Sequence, residues 1–399
     1  LHFINKPSGV EDIIGSGREL RRLFRIPFAR RIARKGSDSL LCFLFKKDDL
    51  IMSPSFFKAR NGQFAAAVFT LSAAAIAACS APSPVGPSVP SSSVGLGGAA
   101  TYNPNEPKVN RDSTASPTPF PFQFATINDP ESSTFNRASA INELGRIVGY
   151  YGSGSPSDPS HGYLSAPPYT KFRTQNYPGA VNTVMTTMST DHLRAGYFLD
   201  SRNDTWGFVE DRGIWTLYKD LKAKGLGFVD EILGINGSNI AVGFYTDTYG
   251  DDQPYELVVT QNEYTILKPP GAKSAIATGI NLRGDISGTE TLANGQTEGW
   301  KLRGGVYTQL SYPGSTSTQA LGLDFEEDVV GSYVDSAGAT HGFVLTNPDG
   351  HQYWQSVDEP NAAGTTVINC INSKHAIVGW YVDAHGNTNG FMATVGSGS

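Results

Sequence analysis

One short pattern centred on glycine recurs through the last two thirds of the chain and limits what that part can fold into. It reads Ile147-Val148-Gly149-Tyr150-Tyr151 at its first appearance and Ile377-Val378-Gly379-Trp380-Tyr381 at its last. The six glycines are Gly149, Gly196, Gly243, Gly288, Gly331 and Gly379, spaced 47, 47, 45, 43 and 48 residues apart. Such periods belong to propellers, solenoids and arrays, whose units cannot bury their apolar faces alone.

Other positions keep step with the glycine. Seven residues before it stands Asn142, Ser189, Asn236, Asn281, Asp324 or Asn372, short polar side chains that hydrogen-bond their own backbone and mark the turn into the glycine strand. Eleven residues after it comes Gly207, Pro254, Gly299, Gly342 or Gly390, with Gly162 delayed by two residues in the first unit. An aromatic residue follows in every unit: Tyr163, Phe208, Tyr255, Trp300, Phe343 and Phe391. An aromatic fixed beside a turn reads as core packing between sheets.

Pro178-Gly179, Pro270-Gly271 and Pro313-Gly314 open three of the units with a turn signature. Each unit has room for four strands, in the fourth unit about Ala275–Asn281, Asp285–Thr291, Thr297–Leu302 and Val306–Tyr312. The expected fold is therefore all-β, a six-bladed β-propeller of four-stranded repeats of about 45 residues, because a closed ring leaves no long exposed edge. The last unit ends without a fourth strand, while Phe122–Ile127 stands alone before the first. The N-terminal strand is thus expected to complete the last blade; an open β-solenoid or a pair of β-sandwiches is the alternative.

Upstream of the repeats lie three segments. Residues 1–51 are basic and precede Met52, the first methionine, which places them before the expected true start. Residues 52–78 carry Lys58 and Arg60 and then an apolar run from Phe64 to Ala78, 15 residues long and too short for an ordinary membrane span. The run ends in Ile76-Ala77-Ala78-Cys79, which resembles the lipobox of bacterial lipoproteins. That resemblance implies a signal peptide over 52–78, lipidation of Cys79, and a place in the cell envelope, at the outer membrane or cell surface, with the membrane as partner through the N-terminal lipid. Residues 79–120 are rich in Ser, Pro and Gly, cannot bury enough apolar area to order themselves, and are expected to form a flexible tether to a domain over 121–399.

The repeats also resemble the bacterial extracellular HAF-repeat proteins, on His161-Gly162-Tyr163 and His341-Gly342-Phe343 with variants such as Trp206-Gly207-Phe208. Gly replaces the family's middle Ala throughout. The resemblance implies an extracellular repeat domain and no particular activity.

Charge and motifs narrow the function. From Cys79 onward 18 Lys and Arg face 31 Asp and Glu, a net charge of −13, which argues against a nucleic-acid partner. No Gly-x-Ser-x-Gly elbow, His-Glu-x-x-His or phosphate loop occurs. No catalytic residue, metal site or cofactor is therefore assigned. Cys370, beside Ile368 and Ile371, reads as a core residue. His161 and His341 share a repeat position and would be spread around a ring rather than converge on an ion. The acidic turns hold Asp247, Asp251, Asp252, Asp335 and Asp383, the candidate ligand-facing loops, although Asp beside Gly is equally a turn signature. Glu326-Glu327-Asp328 and Asp230-Glu231 are the carboxylate neighbours that could serve a polysaccharide hydrolase or lyase. The leading expectation is a non-enzymatic scaffold binding a glycan or protein ligand.

Overall fold

The computed structural model describes residues 119–396, except 154–158, 203, 219–228, 347, 348 and 350. The expected signal peptide, Cys79 and nearly all of the expected tether lie outside the described residues, as do parts of the loop 152–160 and of the irregular third unit.

Strand β1 (Phe122–Thr126) is followed by five complete four-stranded blades. Blade 1 holds β2 (Phe135–Ile141), β3 (Ile147–Gly152), β4 (His161–Ser165) and β5 (Phe172–Thr174); blade 2 holds β6 (Asn182–Met188), β7 (Leu193–Leu199), β8 (Thr205–Asp211) and β9 (Ile214–Tyr218). Blades 3, 4 and 5 begin with β10 (Val229–Ile235), β14 (Ala272–Ile280) and β18 (Ser317–Leu323). Blade 6 has β22 (Thr366–Ile371), β23 (Ile377–Val382) and β24 (Thr388–Val395). Its fourth strand is β1, antiparallel to β24 from Phe122↔Val395 to Thr126↔Phe391. The protein is thus a six-bladed β-propeller closed by its N-terminal strand, as its repeats imply. A single parallel bridge, Phe135↔Thr388, joins the sheets of blades 6 and 1.

The first strands of successive blades touch one another, and β22 touches β2, so these six strands form the inner wall of the ring. Their burial is nearly complete, whereas the outermost strands alternate, as in Ile214–Tyr218 with every second residue exposed before Tyr218. The six repeat aromatics are all 0–1% exposed.

The repeat glycine has a steric cause that periodicity alone does not show. Each inner strand bulges at the same place: Ala138 pairs with Gly149, but the next pair is Ala140↔Val148, leaving Ser139 as the extra residue. The same shift follows the partners of Gly196, Gly243, Gly288, Gly331 and Gly379. The bulge turns an inner-strand carbonyl onto the glycine, and a Cβ there would lie 1.8 Å from Gln319 O at Gly331 and 1.9 Å from Val367 O at Gly379. None of these glycines needs a positive φ; the requirement is room for the carbonyl.

Polar straps then join blade to blade. The repeat polar residues are buried, and their side-chain amides donate to the equivalent carbonyl of the next blade: Asn142 to Ser189 O at 3.2 Å, Asn236 to Asn281 O at 2.9 Å and Asn281 to Asp324 O at 3.1 Å. Asn372 closes the circuit on Asn142 O at 3.1 Å. Ser189 and Asp324 carry no amide for the two remaining steps. The bulge residues supply a second set, Thr186 Oγ1 to Ile232 O at 2.7 Å, Thr278 Oγ1 to Ala320 O at 2.9 Å and Asn369 Nδ2 to Ala138 O at 2.9 Å. Between blades 5 and 6, where neither set acts, His375 Nε2 meets Asp328 Oδ2 at 3.3 Å.

Candidate functional site

At one register level the six inner strands present Arg137, Val184, Glu231, Ile276, Gln319 and Val367, each paired across the strands with the residue after the repeat glycine. Blades 3 to 6 fill their part of the wall with one apolar cluster of Leu233, Phe244, Ile276, Leu321, Val367 and Trp380. Polar groups stand beside it: Arg137 and Tyr150 in blade 1, Tyr197 next to Val184 in blade 2, Glu231 in blade 3 and Gln319 in blade 5. The Arg137 guanidinium lies 3.9 Å from the centre of the Trp380 ring and donates from Nη1 to Tyr150 Oη at 3.2 Å, leaving Nε without a partner. Glu231 is 4% exposed and its Oε2 has no hydrogen-bond partner. Burial pushes this carboxyl well above the usual range, and the charges of Asp252 and Asp230 add to the effect. Burial also raises the Tyr150 and Tyr197 hydroxyls, with the Glu231 charge as a lesser cause.

A second polar site opens between blades 1 and 2. A cavity of about 400 Å³ is lined by Arg173–Asn176 on the outer edge of blade 1 and by Arg194, Glu210, Arg212, Gly213 and Trp215 of blade 2. Its floor is an ion pair. Arg194 and Glu210 are cross-strand partners in β7 and β8, and the Arg194 Nε and Nη2 atoms both donate to Glu210 Oε2. The Gly213 amide donates to Glu210 Oε1, so the carboxylate, 1% exposed, is fully engaged. A guanidinium has five N–H donors, and Arg194 retains more than Glu210 takes. Trp215 forms the apolar side, packed edge-on to Tyr177 and 5.0 Å from Phe208.

In blades 3, 4 and 5 the same cross-strand pair is apolar, Ala241↔Leu257, Ile286↔Leu302 and Val329↔Leu345, and in blade 1 it is Ile147↔Ser165, without a charge. The fold is therefore satisfied by hydrocarbon at this place. Burying an ion pair there costs desolvation that apolar packing avoids. The sequence carried the signal, since Arg194 stands where the repeat has Ile147, Ala241, Ile286, Val329 and Ile377.

The candidate loop carboxylates are engaged in turns. Asp247 Oδ1 accepts the Tyr249 and Asp251 amides at 2.8 and 3.1 Å, Asp335 Oδ1 those of Ala337 and Ala339 at 2.8 and 2.9 Å, and Asp383 Oδ1 those of His385 and Asn387, both at 2.9 Å. Partial desolvation opposes ionisation of Asp383, yet these amides and Asn387 Nδ2 hold its carboxyl down at about 2. Asp251 faces Lys273 Nζ at 3.5 Å, and Asp252 Oδ1 accepts from Thr246 Oγ1 at 2.7 Å. The structure does not gather these residues into one pocket: Asp247, Asp251 and Asp252 share the turn between strands Ile240–Thr246 and Asp252–Val258, and Asp335 and Asp383 each shape a separate hairpin.

The carboxylate neighbours are also parted. Strand alternation sends Asp230 to Tyr255 Oη at 2.7 Å, away from the side of Glu231. Glu327 meets the buried Lys301 Nζ at 2.9 Å in a network with the partly exposed Arg283 and Arg303, while Asp328 faces His375. His161 Nδ1 lies 2.9 Å from Asn176 Nδ2, and His341 lies between Asp358 at 2.9 Å and Asp335 at 3.3 Å, so the two histidines do not converge. Among the described residues Asp324, Asp328 and His375 are the set that could hold a metal, with ligand atoms within 4.8 Å of one another. Within that set His375 Nε2 lies 3.3 Å from Asp328 Oδ2, and Asp324 Oδ1 accepts the Asp328 amide at 2.9 Å. Cys370 is completely buried, its sulfur 3.3 Å from the Ile141 amide nitrogen.

No protein-family model and no curated protein matches the chain. Among solved structures it is similar to TolB from Acinetobacter baumannii, with 10% identity over 62% of this chain and a TM-score of 0.43; the match spans 63% of the TolB chain. It is similar to the six-bladed propeller lectin of Aleuria aurantia, described with a fucose recognition mode, at 10% identity over 69% of this chain and 95% of the lectin, with a TM-score of 0.42. A sialidase from Trypanosoma rangeli is similar at 9% identity over 69% of this chain and 59% of the enzyme, with a TM-score of 0.45.

Proposed function

We propose that the protein is a glycan-binding scaffold of the bacterial cell envelope, anchored through a lipid on Cys79, with its ligand seated between blades 1 and 2. The observation that carries this reading is the pair of a half-buried Arg194 and a buried Glu210 at a repeat position that is apolar in blades 3, 4 and 5. A planar guanidinium held by a carboxylate, beside an indole, offers fixed donors to sugar hydroxyls and an apolar face to a pyranose ring. A glycan array probed with the full chain tests it. Binding to a defined glycan class that is lost in Arg194→Ala, with the thermal midpoint of the variant measured alongside, is the expected result. An array without hits overturns the reading. The anchor is tested separately: Cys79→Ser is expected to abolish signal processing and membrane partitioning.

A polysaccharide-cleaving activity is the second reading, favoured by Glu231. A buried carboxylic acid with a raised pKa and a free oxygen can act as a general acid. Depolymerisation of any glycan found on the array, abolished in Glu231→Gln, would establish it. Intact ligand after prolonged incubation would rule it out.

A further inference from the structure

We infer that the ligand is an acidic glycan, a chain of carboxylate-bearing sugars lying across two neighbouring cavities on blades 1 and 2. This rests on the glycan-binding reading above and adds its chemical class.

The second cavity, about 390 Å³, is lined by Arg146, by Leu164–Pro168 and by Thr170 and Lys171, all on blade 1. It adjoins the first along the chain, since Lys171 lines one cavity and Arg173 the other. Together the two linings hold five basic residues, Arg146, Lys171, Arg173, Arg194 and Arg212, against one carboxylate, Glu210. That carboxylate is spent on Arg194 and the Gly213 amide. Arg146, Lys171 and Arg173 are exposed and make no ion pair with any described residue, and Arg212 has only a loose one, Nε to Asp211 Oδ1 at 3.9 Å. Five other cations of the domain are paired instead: Lys301, Arg303 and Arg283 with Glu327, Arg202 with Asp200 and Lys273 with Asp251.

The concentration is selective. The chain from Cys79 onward has 18 basic residues and a net charge of −13, so a polyanion is repelled by most of this surface. Five uncommitted or partly committed cations on one arc of the ring create a local exception. A neutral glycan would take hydrogen bonds from the four exposed ones but no ionic contact. A carboxylated chain gains an ionic partner at each cavity, through planar guanidinium groups that match a carboxylate in two-point contact. The arrangement fits a linear polymer better than a single sugar, since the charges run across two sugar-sized hollows.

The test pairs an oligogalacturonide with its fully methyl-esterified counterpart, which has the same sugar rings without charge. Titration calorimetry on the full chain is expected to show binding of the acid form at least tenfold tighter than the ester, weakening as salt rises. The double variant Lys171→Gln, Arg173→Gln changes two exposed side chains and is expected to remove most of that preference while leaving the thermal midpoint unchanged. Equal affinity for acid and ester overturns the acidic class and leaves the glycan reading standing. Equal affinity for a single-stranded DNA oligonucleotide also overturns it, because charge alone would then suffice. Failure to bind either oligosaccharide or any glycan on the array overturns both.

Discussion

The side-chain amide of Asn372 donates to the backbone oxygen of Asn142 at 3.1 Å across 230 residues of sequence, tying the last blade to the first. The same Asn372 accepts the Lys374 and Ala376 amides on Oδ1, at 3.1 and 3.0 Å, so one residue shapes its own turn and fastens the neighbouring blade.

Asn372→Asp separates those two tasks. The aspartate keeps an acceptor for the turn but has no donor for Asn142, and sets a carboxylate oxygen against that carbonyl, which is left with the Gly145 amide alone. A loss of about 1–3 kcal/mol is expected, read from the midpoint of a urea unfolding curve. A change within error would show that the strap does not hold the ring.

Gly379→Ala places a methyl group 1.9 Å from the Val367 carbonyl oxygen. The bulge must open for it, and a loss of about 3 kcal/mol or a failure to fold is expected. Gly386, with φ 84° and nothing within 4 Å of its Cβ position, is the control. There Asn is expected to cost on the order of 1 kcal/mol or less, since Asn tolerates the left-handed region. Equal effects at the two sites would refute the carbonyl argument.

Glu231 makes stability depend on pH. Its folded pKa is raised by burial above the ordinary 4.5, so the folded state holds the proton more firmly than the unfolded chain. The favourable contribution is complete below pH 4.5 and disappears as pH climbs through the folded value. Glu231→Gln is expected to flatten the decline of the thermal midpoint from pH 5 to 8, measured by calorimetry. Parallel curves for the two proteins would contradict this.

His341 is opposed by partial burial, but hydrogen bonds and charge from Asp358 and Asp335 outweigh it and raise its pKa above the ordinary 6.5. Its contribution is present below pH 6.5 and fades as pH rises through the folded value. In a proton NMR titration its ring is expected to titrate above 6.5, and Asp358→Asn to lower that value. A titration at or below 6.5 would show that burial dominates.

The glycine register made six units legible because every copy obeys the same steric demand. Strands expected at Thr297–Leu302 and Val306–Tyr312 appear as Thr297–Arg303 and Val306–Leu310. The polar residues read as turn markers are that and more: Oδ1 of Asn142 shapes the turn while Nδ2 reaches Ser189. The reach is invisible in sequence because it depends on how far apart adjacent blades stand. The pocket between blades 1 and 2 was hidden for a related reason. Arg173 and Arg194 belong to different repeat positions in different units and become neighbours through the packing of one blade's outer edge against the next blade. What could be read was the breach of pattern at Arg194 itself.

Closure through β1 also sets an order of events. Phe122 is made early, while its partner Val395 follows at the far end of the repeats. While the chain lengthens, β1 has no β24 to join, and the growing array carries an open edge. Closing so long a loop costs entropy that nearby hairpins do not face, and contacts this distant in sequence form slowly. The seam is therefore the natural last step of folding, and chains interrupted before residue 388 are expected to stay open, sticky and short-lived.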